Sequence, residues 1–229
     1  MCGRFTNRYS WRQLKELYDL TAPFLSSNFP PRYNIAPTQP SFVVQLKDGK
    51  RELAEMRWGL VPSWFKDIKG AAKMINAQSE TADVKPAFRD AWRARRCLVV
   101  ADSFYEWPEP ARPRFITLKE DAPFAFAGLW EMWGPERLHT FTILTTKPNA
   151  FMAEVHDRMP VLLAPDSWPR WLGQTPATSA ELKALCVPFP SERMTSWPVD
   201  RAVGNVKYDE PRLIEAVPPQ QAPLLPLEG

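Results

Sequence analysis

SFVVQL (41–46), KDGK (47–50) and RELAEMRW (51–58) read together as a β-hairpin. Two β-prone runs flank an Asp-Gly pair, the kind of dipeptide that accepts the positive φ values of a tight hairpin turn. Ala54, Met56 and Trp58 alternate with polar neighbours, which marks one face of the second strand for burial. Further β-like stretches follow at CLVVADSFYEW (97–107), RFITL (114–118), FAFAGLW (124–130) and LHTFTILTT (138–146). The chain is therefore expected to be rich in sheet.

Helical patterns are fewer and shorter. SWRQLKELYDL (10–20) has Ser10 and Gln13 at capping-box spacing, with Trp11, Leu14, Leu17 and Tyr18 on one face. KPAFRDAWRARR (85–96) reads as a helix with Pro86 in its first turn and Phe88 four residues before Trp92. DSWPRWL (166–172) and TSAELKAL (178–185) complete the set, the latter with Thr178 and Glu181 as a capping box. Prolines in FPPRYNIAPTQP (29–40) argue against regular structure there, and GLVPSWFKDIKGAAKMINAQSET (59–81) has no clean period and reads as a surface excursion. The expectation is an α+β, mostly β single domain over 2–208, with a Pro-rich mobile tail at 209–229.

Composition narrows the function classes. The 229 residues are 45% hydrophobic and 24% charged, ordinary for a globular chain with a good core. No run of about 18 apolar residues is present and the first residues lack a secretory h-region, so no membrane partner and a cytoplasmic location are expected. Three widely spaced cysteines form no CxxC pair, and with only two histidines neither a metal site nor a disulfide framework is expected. No cofactor is expected either. Net charge is +3, and residues 209–229 hold four acids against one arginine, so the body is more basic than the whole. That is compatible with a phosphate-binding groove.

The second residue poses the chemical question. A small residue after the initiator allows Met1 to be removed, which leaves Cys2 with a free α-amine and a thiol. The two groups have reference pKa values of about 8 and about 8.5, so both are partly nucleophilic near neutrality. Arg4 is placed to lower the thiol further. With an aldehyde, the amine forms an imine and the sulfur closes on it to give a thiazolidine. The alternative is a terminus with no role.

Three other places offer chemistry, each with a structural alternative. Glu106, between Tyr105 and Trp107, is a carboxylate among aromatics whose pKa desolvation would raise; a water-exposed strand-end glutamate is the competing reading. His156 precedes Asp157 and Arg158 and is suited to move protons, although neighbours in a strand face opposite ways; a hydrogen-bonded structural histidine competes. His139, in an amphipathic strand, reads as structural. Asn76 could hold a substrate or the terminus, or simply make a turn. Trp64 and Phe65, side by side beside Lys66, suit stacking on bases or burial in the core.

Taken in order, MCGR, RYNIAPTQ, WGLVPSW, INAQSET, SFYEW, VHDRMP and RAVGNVK resemble the signatures of the SOS response-associated peptidase (SRAP) family, whose members process abasic sites in DNA. The resemblance runs from Cys2 to about Lys207. It implies a barrel-like sheet with flanking short helices, a groove for single-stranded DNA, and a terminal cysteine, exposed in the family, that crosslinks to the abasic site. It also implies removal of the leading residue by the chain itself. The matching active-site positions are Cys2, Asn76, Glu106 and His156. DNA contacts are implied for Arg4, Asn34, Pro37, Thr38, Trp64, Phe65, Gln78, Thr145, Thr146 and Arg158. Family members often carry arginine where this chain has Gln78, and a second tryptophan where it has Phe65, so weaker phosphate binding is expected. A monomer, associated with the nucleoid when on DNA, completes the expectation. Two rival readings are an N-terminal-nucleophile amidohydrolase and a non-covalent single-strand binding module.

Overall fold

Asp48 and Gly49 both adopt positive φ, 50° and 75°, and close the hairpin that the Asp-Gly pair predicts. The computed structural model describes residues 2–21, 29–68, 73–110 and 112–218. In chain order the elements are β1 (Phe5–Asn7), α1 (Trp11–Tyr18), β2 (Arg32–Ile35), β3 (Pro40–Lys47), β4 (Lys50–Trp58) and β5 (Asn76–Gln78). Then come α2 (Arg89–Ala94), β6 (Arg96–Val100), β7 (Ser103–Glu109), β8 (Arg112–Leu118), β9 (Ala125–Trp133) and β10 (Leu138–Thr146). The chain continues through α3 (Ala150–Ala153), β11 (Met159–Pro160), β12 (Leu162–Leu163), α4 (Trp168–Leu172), α5 (Ser179–Leu185) and β13 (Met194–Pro198).

Five strands close on themselves. β10 pairs with β4, β4 with β3, β3 with β6, β6 with β9, and β9 returns to β10. The β4–β10 seam is parallel and short, with Arg57 opposite Thr140 and Trp58 opposite Phe141. Closure leaves no free edge along that ring. β5, β11 and β12 add to its rim, and a second sheet runs β13-β8-β7-β1-β2.

Period-2 alternation divides the side chains of β6 between two cores. Cys97 and Val99 join a cluster with Val43, Met56, Trp58, Phe126 and Phe141, one or more from every barrel strand, together with Phe5, Phe104 and Ile116 of the second sheet. Leu98 and Val100 face the other way, into a cluster with Leu14, Tyr18, Trp92, Trp168, Trp171 and Leu182 of the helices. The shared first cluster joins both sheets into one α+β, mostly β domain. Tyr18 stacks on Trp168 at 4.5 Å and Trp92 meets Trp171 edge-on at 5.6 Å, which holds three of the helices to the barrel wall.

The helix caps at Ser10 and Thr178 form as full capping boxes. Other expectations need correction. CLVVADSFYEW is two strands in different sheets, because the chain leaves β6 at Ala101 and turns through Asp102 before β7 begins. RYNI is a strand after all; it carries no proline itself and lies at a sheet edge, paired among the described residues only with β1. Asn76–Gln78, expected within an irregular excursion, pairs in parallel with β10. The helix expected over 85–96 is confined to Arg89–Ala94: residues up to Phe88 are turns, and Arg96 already belongs to β6.

The segment after 208 is not free throughout. Asp209 pairs with Arg32, Leu213 is fully buried, and Trp197 Nε1 donates to Ile214 O at 2.8 Å. Residues 219–229 of the expected tail lie outside the described residues. No helix among the described residues is long and apolar enough to cross a membrane.

Candidate active site

Cys2 lies three residues ahead of β1, which is held between β2 and β7, so the head of the chain is fixed at the core of the second sheet. The Cys2 side chain has no exposed surface and packs in the barrel cluster. Asn76, placed by its pairing opposite Ile143, donates from Nδ2 to the Cys2 carbonyl at 2.8 Å. Its Oδ1 is buried and accepts no hydrogen bond among the described residues. The amide thus fixes the main chain of Cys2 while presenting a spare acceptor.

Glu106 stands on β7 opposite Arg114 and is 3% exposed. Burial pushes its carboxyl above the usual range, with His156 among the groups that pull it back. Cys2 responds to the same surroundings. Burial first, and the Glu106 charge second, drive its thiol well above the ordinary value. This reverses the expected lowering by Arg4, which offers Cys2 only a backbone hydrogen bond. The Arg4 guanidinium instead serves Asn34 Oδ1, at 2.7 Å, and the Val203 carbonyl.

His156 sits in the loop after α3, not in a strand. Neighbours there need not face opposite ways, and Asp157 Oδ1 lies 2.6 Å from His156 Nδ1. The Arg158 backbone N–H donates to the same nitrogen at 3.1 Å. A neutral Nδ1 accepts from Arg158, and a protonated one donates to Asp157. His139 packs edge-on to Trp130 at 5.4 Å, the structural role expected of it. Among the described residues no group of three His, Cys, Asp or Glu side chains could hold a metal ion.

The sequence profile of the SOS response associated peptidase (SRAP) family matches residues 1–206. The chain belongs to this family. It is 40% identical over 223 residues to "Abasic site processing protein YoaM" of Bacillus subtilis (strain 168), covering 94% of this chain and 98% of that one. It is 30% identical over 233 residues to "Abasic site processing protein YedK" of Escherichia coli (strain K12), covering 95% and 100%. A solved protein from Bacteroides thetaiotaomicron superposes with a TM-score of 0.84 at 23% identity, covering 94% of this chain and 100% of that one; it shares the fold.

In this SRAP chain the residues implied for DNA contact fall into two groups. Trp64 is 60% exposed and meets the half-buried Phe65 edge-on at 4.6 Å. Their loop is pinned from below, because Trp133 Nε1 donates to the Phe65 carbonyl at 2.7 Å. Thr38 is exposed at φ 72°, with Pro37 partly exposed beside it, and the Thr38 N–H donates to the Trp58 carbonyl at 2.9 Å. Trp58 Nε1 in turn donates to Ile75 O at 2.9 Å, next to Asn76. Gln78 is exposed at the end of β5.

Arg4, Asn34, Thr145 and Thr146 are buried. Asn34 Nδ2 donates to the carbonyls of Asn205, at 3.1 Å, and Tyr208, at 2.6 Å. Arg4 and Asn34 thereby strap the 203–208 segment of the SRAP fold to β1 and β2. Arg158 is engaged by Glu80 in a two-pronged ion pair. Glu80 and these carbonyls were not singled out from sequence, since main-chain acceptors leave no mark on residue type.

Proposed function

We propose that the chain processes abasic sites in single-stranded DNA through a covalent bond from Cys2, once Met1 is gone. The observation that carries this reading is the Asn76 amide fixed on the Cys2 carbonyl, beside a buried Glu106 carboxyl whose charge the Cys2 thiol feels. Names of relatives that share 30–40% of the sequence over nearly the whole chain support the same substrate.

The chemistry starts with hydrolysis of the Met1–Cys2 peptide bond by the chain itself, which frees the Cys2 amine. An abasic deoxyribose opens to an aldehyde. The amine adds to C1′, the carbinol loses water, and an imine forms. The Cys2 sulfur then adds to the imine carbon, its proton passes to the ring nitrogen, and a thiazolidine results with water as the only by-product. Glu106, held protonated more readily than an exposed carboxyl, gives a proton to the departing oxygen, and His156, oriented by the Arg158 N–H and the Asp157 carboxylate, takes up the proton released from the amine. Ring closure removes the cationic imine that would promote β-elimination, so the strand stays intact. A thiol kept protonated by burial suits this amine-first order.

The test is a denaturing gel after incubation with an oligonucleotide bearing one abasic site, alongside the intact mass of the protein. A heat-stable, slow-migrating adduct is expected from chains lacking Met1, and none from Cys2→Ala. An adduct of normal yield from Cys2→Ala, or from chains that retain Met1, sinks the scheme. Binding wholly reversible in denaturant identifies a non-covalent module instead.

A further inference from the structure

We propose that Glu80 is a carboxylate mask on Arg158, occupying a phosphate-binding guanidinium until a nucleic-acid backbone displaces it; this rests on the reading of the chain as a DNA-processing protein. Arg158 Nη1 donates to Glu80 Oε1 at 2.8 Å and Nη2 to Oε2 at 2.7 Å. Nη2 also donates to the Thr145 carbonyl at 2.7 Å, which orients the fork from behind. A planar guanidinium offers the same parallel pair of N–H groups to a phosphate as to a carboxylate, so the two compete for one seat.

Placement makes Glu80 the outer partner. Its side chain is 39% exposed and that of Arg158 only 15%, so the carboxylate covers the guanidinium from the solvent side. Alternation along β5 and its continuation explains this: Ala77 and Ser79 are buried, while Gln78 and Glu80 face out. A strand of DNA approaching this edge meets a neutral amide and a negative carboxylate before it meets the arginine. The hydrogen bonds from Arg158 hold the Glu80 carboxyl below its usual range, so the mask is charged at neutral pH. The seat also adjoins the chemistry, since the Arg158 backbone N–H bonds His156 Nδ1. A phosphate seated there flanks the sugar on which His156 acts.

An exposed mask of this kind lowers affinity without blocking binding. Exchange of Glu80 for phosphate is close to neutral for the fork itself. The displaced carboxylate, however, remains near the phosphate and repels it.

The test measures fluorescence anisotropy of a labelled, undamaged single-stranded oligonucleotide over a series of salt concentrations. Glu80→Gln keeps an acceptor for Arg158 and removes the charge. It should tighten binding by roughly three- to tenfold and steepen the slope of log affinity against log salt by up to about 0.7, because the displaced carboxylate no longer offsets the charge that Arg158 brings to the phosphate. Glu80→Ala should move both quantities in the same direction, and a thermal melt of each variant verifies that it is folded. In an Arg158→Gln background the Glu80→Gln gain in slope should vanish. Unchanged or weaker binding by both Glu80 variants, or a slope change that survives without Arg158, overturns the mask. Failure of the wild type to bind or crosslink DNA overturns the functional reading as well, and so is distinguishable.

Discussion

Replacing Asn76 tests whether the grip on Cys2 matters to the chemistry. The Asn76 amide makes a single neutral hydrogen bond of 2.8 Å to the Cys2 carbonyl. Such a bond contributes about 0.5–1.5 kcal/mol, so Asn76→Ala should slow crosslinking by roughly two- to tenfold. Asn76→Asp is nearly the same shape but sets an acceptor against an acceptor. The bond is lost and a partly buried carboxylate faces the carbonyl, which costs about 1–3 kcal/mol more, and the rate should fall by roughly ten- to a thousandfold. The assay is a quenched time course on a denaturing gel at saturating abasic oligonucleotide. The intact mass of each variant gives the fraction lacking Met1, which separates slow crosslinking from incomplete processing. Crosslinking by Asn76→Asp at the wild-type rate refutes the idea that the amide positions the nucleophile.

Two other outcomes follow from burial. A methyl group at Gly128 would lie 2.8 Å from both Cys97 Sγ and Val99 Cγ2, and 3.3 Å from the Thr142 carbonyl. Gly128→Ala should therefore destabilise the barrel by about 1–3 kcal/mol and lower Tm by roughly 2–4 °C for each of those, with partial recovery in a Cys97→Ala background; an unchanged Tm contradicts the packing described. Glu106 has a folded-state pKa raised by burial, so the folded chain binds the extra proton. Its favourable contribution is complete below the unfolded value of about 4.3 and is lost as pH rises through the folded one. Stability of the wild type relative to Glu106→Gln should accordingly decline as the pH goes from acid to neutral, measured by denaturant titration at each pH. A relative stability that climbs instead contradicts a buried, desolvated carboxyl.

Sequence revealed what is local and periodic. The Asp-Gly turn, the alternation to Trp58 and both capping boxes depend on residues a few positions apart, and each took the predicted form. β2 and β5 escaped because four- and three-residue strands are defined by partners far along the chain, β1 and β10, not by their own pattern. CLVVADSFYEW looked continuous because both halves are apolar; only the tertiary path separates them. At the site, aromatic neighbours left Glu106 open between a desolvated carboxyl and an exposed strand end, and the fold buries it. Local reading failed for Cys2, where a nearby arginine in sequence suggested a lowered thiol pKa. The fold sends that guanidinium to Asn34 and Val203 and surrounds the sulfur with apolar side chains instead. Arg158 entered as a DNA contact only through the family resemblance, and its engagement by Glu80, 78 positions away, left no mark on the local sequence.

All three thiols, Cys2 among them, are shut away from solvent. Glutathione disulfide and peroxides attack sulfur that is both ionised and reachable, and Cys2 in this setting is neither. Burial thus spares the Cys2 thiol from oxidants that consume exposed cysteines, which is what the covalent role proposed for it requires.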